Sequence, residues 1–144
     1  MRYLYQAKLT PQDDGPILVT VPDVPMVTSC GDTEAEARRA AVDALATALL
    51  FLAKQGEPIP LPVTPAGPGL VPVELELEDA LKLAVIEAFR EAGISKTELG
   101  RRLGKPDSEM HRLLDPGHAT KAGSLTRALA VLGKRAALEV LEAA

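Results

Sequence analysis

The spacing of apolar residues changes character several times along these 144 residues. Arg2 to Leu9 mixes aromatic and apolar residues and predicts a strand. Pro11, Asp13, Asp14 and Gly15 supply a turn. The β-branched run Ile17–Val21 predicts a second strand, so the pair forms a hairpin. Pro22-Asp23-Val24-Pro25 interrupts the pattern, because proline cannot donate to a ladder. Met26–Cys30 is a short third strand, ended by Gly31 and Asp32. The period then becomes helical. Thr33 and Glu36 make a capping box, and Ala37, Ala41, Leu45, Ala48, Leu49 and Leu52 form the buried stripe of a long helix from Glu34 to Lys54. Gly56 closes it. Residues 57–72, EPIPLPVTPAGPGLVP, are too rich in proline and glycine for helix and are extended. Val71, Val73, Leu75 and Leu77 then alternate with Pro72, Glu74, Glu76 and Glu78. This predicts a fourth strand with one apolar and one acidic face, available to hold two chains together.

From Asp79 the pattern is helical to the end. Leu81, Val85, Ala88 and Phe89 mark one helix face, and Gly93 ends that helix. In SKTELGRRLGKPDSEMHRLL, from Ser95 to Leu114, Ser95 and Glu98 form a second capping box. Leu99 and Leu103 share a face at i, i+4. Gly104 suits a tight exit, Pro106 a first helical turn, and Met110, Leu113 and Leu114 give the next helix its own apolar face. Small Gly100 lies where the two helices must approach closely. This spacing resembles a helix-turn-helix, whose second helix enters the DNA major groove. The alternative is a plain αα-hairpin. Asp115-Pro116-Gly117 breaks the pattern. Leu125, Leu129 and Leu132 mark a last long helix, and Lys134–Ala144 is a candidate short terminal helix. The chain thus divides into an α+β domain over 1–66, a linker and strand over 67–78, and an all-helical domain over 79–144.

Charge sharpens that division. Residues 1–79 carry five Lys/Arg against twelve Asp/Glu, a net −7; residues 80–144 carry eleven against eight, a net +3. Phosphate binding needs the second sign, and the first suits a basic protein partner. A single cysteine, Cys30, excludes an internal disulfide and fits a reducing, cytoplasmic setting. The start, MRYLYQAKL, has no apolar signal core. The apolar run around Leu45–Ala53 is too short to span a bilayer, so no membrane role is expected.

Catalytic chemistry is thin. No glycine-rich loop matches a nucleotide-binding pattern. His111 and His118 lack neighbours at metal-ligand spacing. Ser29 and Cys30 have no histidine in their domain to act as base. Alternate glutamates without His or Asp make no ligand cage, so Glu74, Glu76 and Glu78 are a solvated face. Neither an enzyme nor a metal or cofactor is expected. With Met110, Leu113 and Leu114 turned to the core, Asp107, Ser108, His111 and Arg112 face outward toward bases. Arg112 can donate bidentately to guanine. Lys96, Arg101, Arg102, Lys105 and Lys121 are the candidates for phosphates.

Taken together, strand, DDG turn, strand, PDVP, short strand and GDTEAEARRAAVDAL resemble the HicB antitoxin family, and the later IPLPV fits. LGRRLGKPDSEMHRLLDPGHATKAGSLTRALAVLGK resembles the helix-turn-helix domain on one branch of that family. The resemblance implies a degenerate ribonuclease-H-like β-β-β-α-β domain that caps a HicA-type toxin, a small basic ribonuclease. It also implies an all-α domain that binds the promoter of its own operon, in a dimer or tetramer, as a repressor. The first strand has no carboxylates, although ribonuclease-H-like enzymes need a cluster of them for two metals. Asp107 and Glu109 depart from expectation by placing negative charge on the recognition helix, although Asp107 could accept from a cytosine amino group. Asp23, Pro25 and Asp32 are the candidates for toxin contact. A second reading is a regulator whose first domain binds a small molecule, but few aromatics or convergent polar groups are there to build a pocket.

Overall fold

Period-two alternation in the first eighty residues builds one antiparallel sheet. Its strands are β1 (Leu4–Gln12), β2 (Gly15–Thr20), β3 (Thr28–Gly31) and β4 (Leu70–Glu74), in the spatial order β3-β2-β1-β4. The computed structural model describes residues 1–143. It separates into two units, Met1–Ala80 and Leu81–Ala144. In the first, Tyr5 and Ala7 stand opposite Val73 and Val71, and Leu9 opposite Val19. Directly paired residues project from the same face, so these pairs make that face apolar. The β1–β2 hairpin turns at Asp13-Asp14, tighter than the sequence suggests, with a register shift between Thr10 and Gln12 around Pro11. A bulge accommodates a residue that cannot donate. Pro72 is tolerated because β4 is an edge strand.

Helix α1 (Glu34–Gln55) crosses all four strands. Thr33 Oγ1 accepts from the Glu36 amide at 3.2 Å, and the Glu36 carboxylate reaches back to the Asp32 amide at 3.0 Å. The reciprocal bonds of the predicted capping box are therefore made, one residue earlier than in its simplest form. Ala37, Ala41, Leu45, Ala48 and Leu49 are buried, as the helical spacing predicts. Fully burying a leucine contributes about 1.5–3 kcal/mol, so Leu45→Ala is the single change that most directly loosens this layer.

The proline-rich stretch is an extended strap along the first unit. Tyr5 donates its hydroxyl to the Pro60 carbonyl at 2.7 Å, and Ile59 is buried. The Asp23 carboxylate accepts from the Thr64 amide (3.0 Å) and hydroxyl (2.8 Å). The strap then returns as β4. Of the linker and strand expected over 67–78, residues 70–74 are the strand, hydrogen-bonded into the sheet beside β1. Val73 and Leu75 are buried in the chain's own fold, so their apolar face is not free to join two chains. Leu77, expected in the strand, opens the next helix instead.

The second unit packs α2 (Leu77–Ala92), α3 (Lys96–Leu103), α4 (Asp107–Leu113) and α5 (Ala122–Val131) around Leu81, Val85, Ala88, Leu99, Met110, Leu113, Leu125, Ala128 and Leu129. The expected terminal helix is absent from residues 134–143, whose Leu138, Val140 and Leu141 are exposed; Ala144 lies outside the described residues. Lys134, paired with Glu91 at 2.8 Å, ties the start of that segment to α2 by an ion pair. Three exposed apolar residues without a partner layer give a short helix nothing to bury against.

Candidate nucleic-acid interface

The turn between α3 and α4 is built as its sequence requires. Ser95 Oγ accepts from the Glu98 amide at 3.0 Å and opens α3. Gly104 closes it at φ +66, a conformation side chains resist. A Cβ on Gly100 would lie 2.6 Å from the Lys105 carbonyl oxygen and 3.3 Å from Met110 Cγ. The two helices therefore meet where only glycine fits. Pro106 caps α4 in extended conformation (ψ 161) instead of standing in its first turn. Thr97 donates to Asp107 at 3.0 Å and so fastens α3 to the start of α4.

Met110 and Leu113 are buried and Leu114 packs against the same core, which leaves Asp107, Ser108, His111 and Arg112 exposed. Lys96 Nζ lies 3.1 Å from His111 Nδ1. An ammonium can only donate, so Nδ1 is the acceptor in this pairing. Asp107 is engaged by Thr97, whereas the Arg112 guanidinium, without a hydrogen-bond or ion-pair partner among the described residues, lines a cleft.

The basic residues fall into two groups. On α3, Arg101 donates to Glu98 through Nε (2.8 Å) and Nη2 (2.7 Å), and Arg102 Nε donates to the same carboxylate at 3.0 Å. Arg102 Nη1 also reaches the Val131 carbonyl at 3.3 Å. These hydrogen bonds from Arg101 and Arg102 hold the Glu98 carboxyl down at about 2, against an ordinary 4.5. Lys105 faces Glu109 at 3.6 Å. The second group surrounds a cleft of about 300 Å³ between α4, the segment before α5 and α5 itself. Its lining includes Lys105, Arg112, His118, Lys121 and Arg127, with Glu109 as its only acid. Among the described residues, no ion pair or side-chain hydrogen bond engages Arg112, Lys121 or Arg127. His118 and Arg127 were not among the sequence candidates. Arg127 lies between Leu125 and Ala128 in sequence but on the exposed side of α5, and the signal for it was its place off that apolar stripe.

Lys82 was also missed. It is 3% exposed, and its Nζ donates to the carbonyls of Arg112 (3.1 Å) and Leu113 (2.9 Å) and to the Thr120 hydroxyl (2.7 Å). Burial pushes its pKa below the usual lysine value, and nearby Asp115 opposes that shift. The sequence signal was its position: Val85, Ile86 and Phe89 follow at i+3, i+4 and i+7, so Lys82 interrupts an apolar face.

In the first unit, the three toxin-contact candidates are separated by role. Pro25 and Asp32 are exposed, whereas the half-buried Asp23 is occupied by Thr64. A shallow groove of about 650 Å³ lies between α1 and β3. Its rim holds exposed Met26 (52%) and Phe51 (50%), and Asp43 and Thr47 also line it. Among the described residues no group of three His, Cys, Asp or Glu side chains could hold a metal, and no helix is long and apolar enough to cross a membrane.

Residues 4–84 match the family described as "HicB_like antitoxin of bacterial toxin-antitoxin system". Antitoxin HicB of Escherichia coli K12 is 40% identical over 134 residues, 93% of this chain and 96% of that protein. Antitoxin HicB 1 of Photorhabdus laumondii is 34% identical over 136 residues, covering 94% and 86%. Antitoxin HicB of Pseudomonas fluorescens Pf0-1 is 33% identical over 129 residues, covering 90% and 88%. At these lengths the similarity runs through both units.

Proposed function

The chain belongs to the HicB-like antitoxin family, and we propose that it neutralises a HicA-type toxin, a small basic ribonuclease, with its first unit and represses its own operon with its second. On this reading it is not an enzyme. The observation that carries the proposal is the division of charge between the two units: −7 on the unit matched by the antitoxin family, and +3 on a unit that displays a helix-turn-helix with unpaired cations. Opposite charge speeds the encounter with a basic partner. The same sign repels DNA, so the two partners are sorted by unit. Arg112 and the exposed Asp107, Ser108 and His111 read base edges; Lys121, with Lys105 and Lys96, meets phosphates. Asp32 and Pro25 offer the toxin exposed contacts beside the α1 N-terminus. A repressor that reads two half-sites acts as a dimer or higher oligomer.

Two measurements test this. The full chain is co-expressed with the short basic reading frame beside its own, and the tagged chain is purified. Co-purification with loss of the neighbour's ribonuclease activity is the expected result; a neighbour that stays active in the presence of excess chain sinks the toxin arm. The purified chain is then titrated onto a duplex from immediately upstream of the operon and onto a random duplex. Tighter binding to the upstream duplex is expected, and equal binding removes the repressor arm.

A further inference from the structure

Among the described residues Lys82 is the only charged side chain that is buried. Burying an ammonium costs several kcal/mol unless it is paired and hydrogen-bonded. Here each of its three protons meets an oxygen, at 2.7, 2.9 and 3.1 Å. Two of those oxygens are the last carbonyls of α4, of which Arg112's also accepts from the Asp115 amide at 3.3 Å, and the negative end of the helix dipole favours a cation there. A methionine of similar length would fill the space without the desolvation cost, so packing alone gives no reason for a lysine.

The acceptors supply the reason. Arg112, Leu113 and Thr120 all line the basic cleft, the first two from α4 and the third from the segment leading to α5. One buried side chain thus ties two walls of the cleft together. His118 and Lys121 flank Thr120 within two residues, and Arg112 carries its free guanidinium from a backbone that Lys82 holds. We propose that Lys82 is a positioning residue that fixes the shape of this cleft, and that the cleft holds a backbone phosphate of duplex DNA between Lys105, Lys121 and Arg127. This rests on the DNA-binding reading of the second unit. Lys105, Lys121 and Arg127 come from the α3–α4 turn, the segment before α5 and α5, so their convergence depends on how the 114–121 segment lies.

The test uses the full chain, the upstream duplex and a random duplex of equal length. Lys82→Met is compared with Leu129→Ala, a core truncation at a residue that does not itself line the cleft. Binding is measured at two salt concentrations, at a temperature where both variants are folded. Lys82→Met should lose about tenfold in affinity for the random duplex, where phosphate contacts act without base reading, and at least as much for the upstream duplex, because Arg112 hangs on the backbone that Lys82 holds. Its salt dependence should flatten, and amide exchange should quicken at Asp115 and His118. Leu129→Ala should melt earlier yet bind as the wild type does. If Lys82→Met fails to fold, Thr120→Val takes its place, removing one acceptor and giving a smaller loss of the same kind. Wild-type affinity in the variant overturns the assignment of Lys82 while leaving the DNA reading intact. Failure of the wild type to bind either duplex overturns both.

Discussion

Arg101 and Arg102 on α3 and Arg112, Lys121 and Arg127 around the cleft are the same kinds of residue in opposite situations. The first pair shares one carboxylate, Glu98, at 2.7–3.0 Å. The second set has no carboxylate partner among the described residues, apart from Glu109 on the cleft wall, which lies with Lys105. Counting charges along the sequence treats the two sets alike, and α3 even looks the richer. A phosphate approaching α3 must share its arginines with Glu98. One approaching the cleft meets, in Arg112, Lys121 and Arg127, cations with no carboxylate already drawn to them among the described residues. Exposed pairs are worth only about 0–1 kcal/mol, so the α3 arginines are not lost to DNA, but their charge is already balanced. What decides a phosphate site is the charge left over after local pairing, which the net +3 of the unit conceals.

The most drastic way to break this contrast is to separate the helices that carry it. Gly100→Val would drive a branched side chain into the Lys105 carbonyl, where even a Cβ lies at 2.6 Å. Overpacking of this kind costs about 1–3 kcal/mol, and backbone is less able to yield than side chains. The second unit should melt earlier and lose DNA binding through both basic sets at once. Thermal unfolding followed by far-ultraviolet circular dichroism, which reads the helices, checks this; an unchanged midpoint would mean that α3 and α4 do not meet at Gly100.

A finer comparison neutralises the two sets separately. Lys121→Gln with Arg127→Gln should reduce affinity for any duplex and lower the salt slope by about one, since the single phosphate held in the cleft contributes roughly 0.9. Arg101→Gln with Arg102→Gln should change both quantities less. Anisotropy titrations at several salt concentrations give the slopes. A larger loss from the α3 pair would reverse the assignment and make the cleft incidental.

The sequence makes some of this legible and hides the rest for identifiable reasons. The helix-turn-helix reads well because each of its signals is local: a cap at Ser95, a close approach at Gly100, a left-handed exit at Gly104. The long helix α1 reads well because its stripe repeats over many turns. Strand β4 is found, but its place is not. Alternation says that Val73 and Leu75 share a face, whereas its pairing with β1 joins residues some seventy positions apart, and nothing local encodes that register. The terminal helix fails because helical propensity without a surface to cover is not enough. Lys82 escapes because a lysine in an amphipathic helix is ordinarily solvated; its partners come from α4 and from the segment before α5, thirty or more residues away. Asp23, named among the candidates for toxin contact, is engaged by Thr64, 41 positions away in sequence. In each case the missing information is tertiary.

The smallest effect, and the most discriminating, concerns Glu98 itself. Its carboxyl is held down at about 2 by Arg101 and Arg102, against an ordinary 4.5. A carboxylate whose pKa falls on folding stabilises the folded state fully above the unfolded value and loses that contribution as pH drops toward the folded one. The second unit should therefore lose stability between about pH 4.5 and about pH 2 through this group. Glu98→Gln removes the titration but keeps the shape. At neutral pH the variant should melt slightly below the wild type, and the gap should close as the wild-type carboxylate takes up its proton. A gap that stays constant through that range would return Glu98 to the behaviour of a free carboxylate. The same substitution also releases Arg101 and Arg102. If local pairing is what keeps α3 from phosphates, Glu98→Gln should tighten binding to random duplex by about two- to threefold at low salt, and less at high salt, where exposed charges are screened. No gain would mean that the α3 arginines lie away from the DNA backbone whether paired or not, and that the cleft carries the phosphate contact without them.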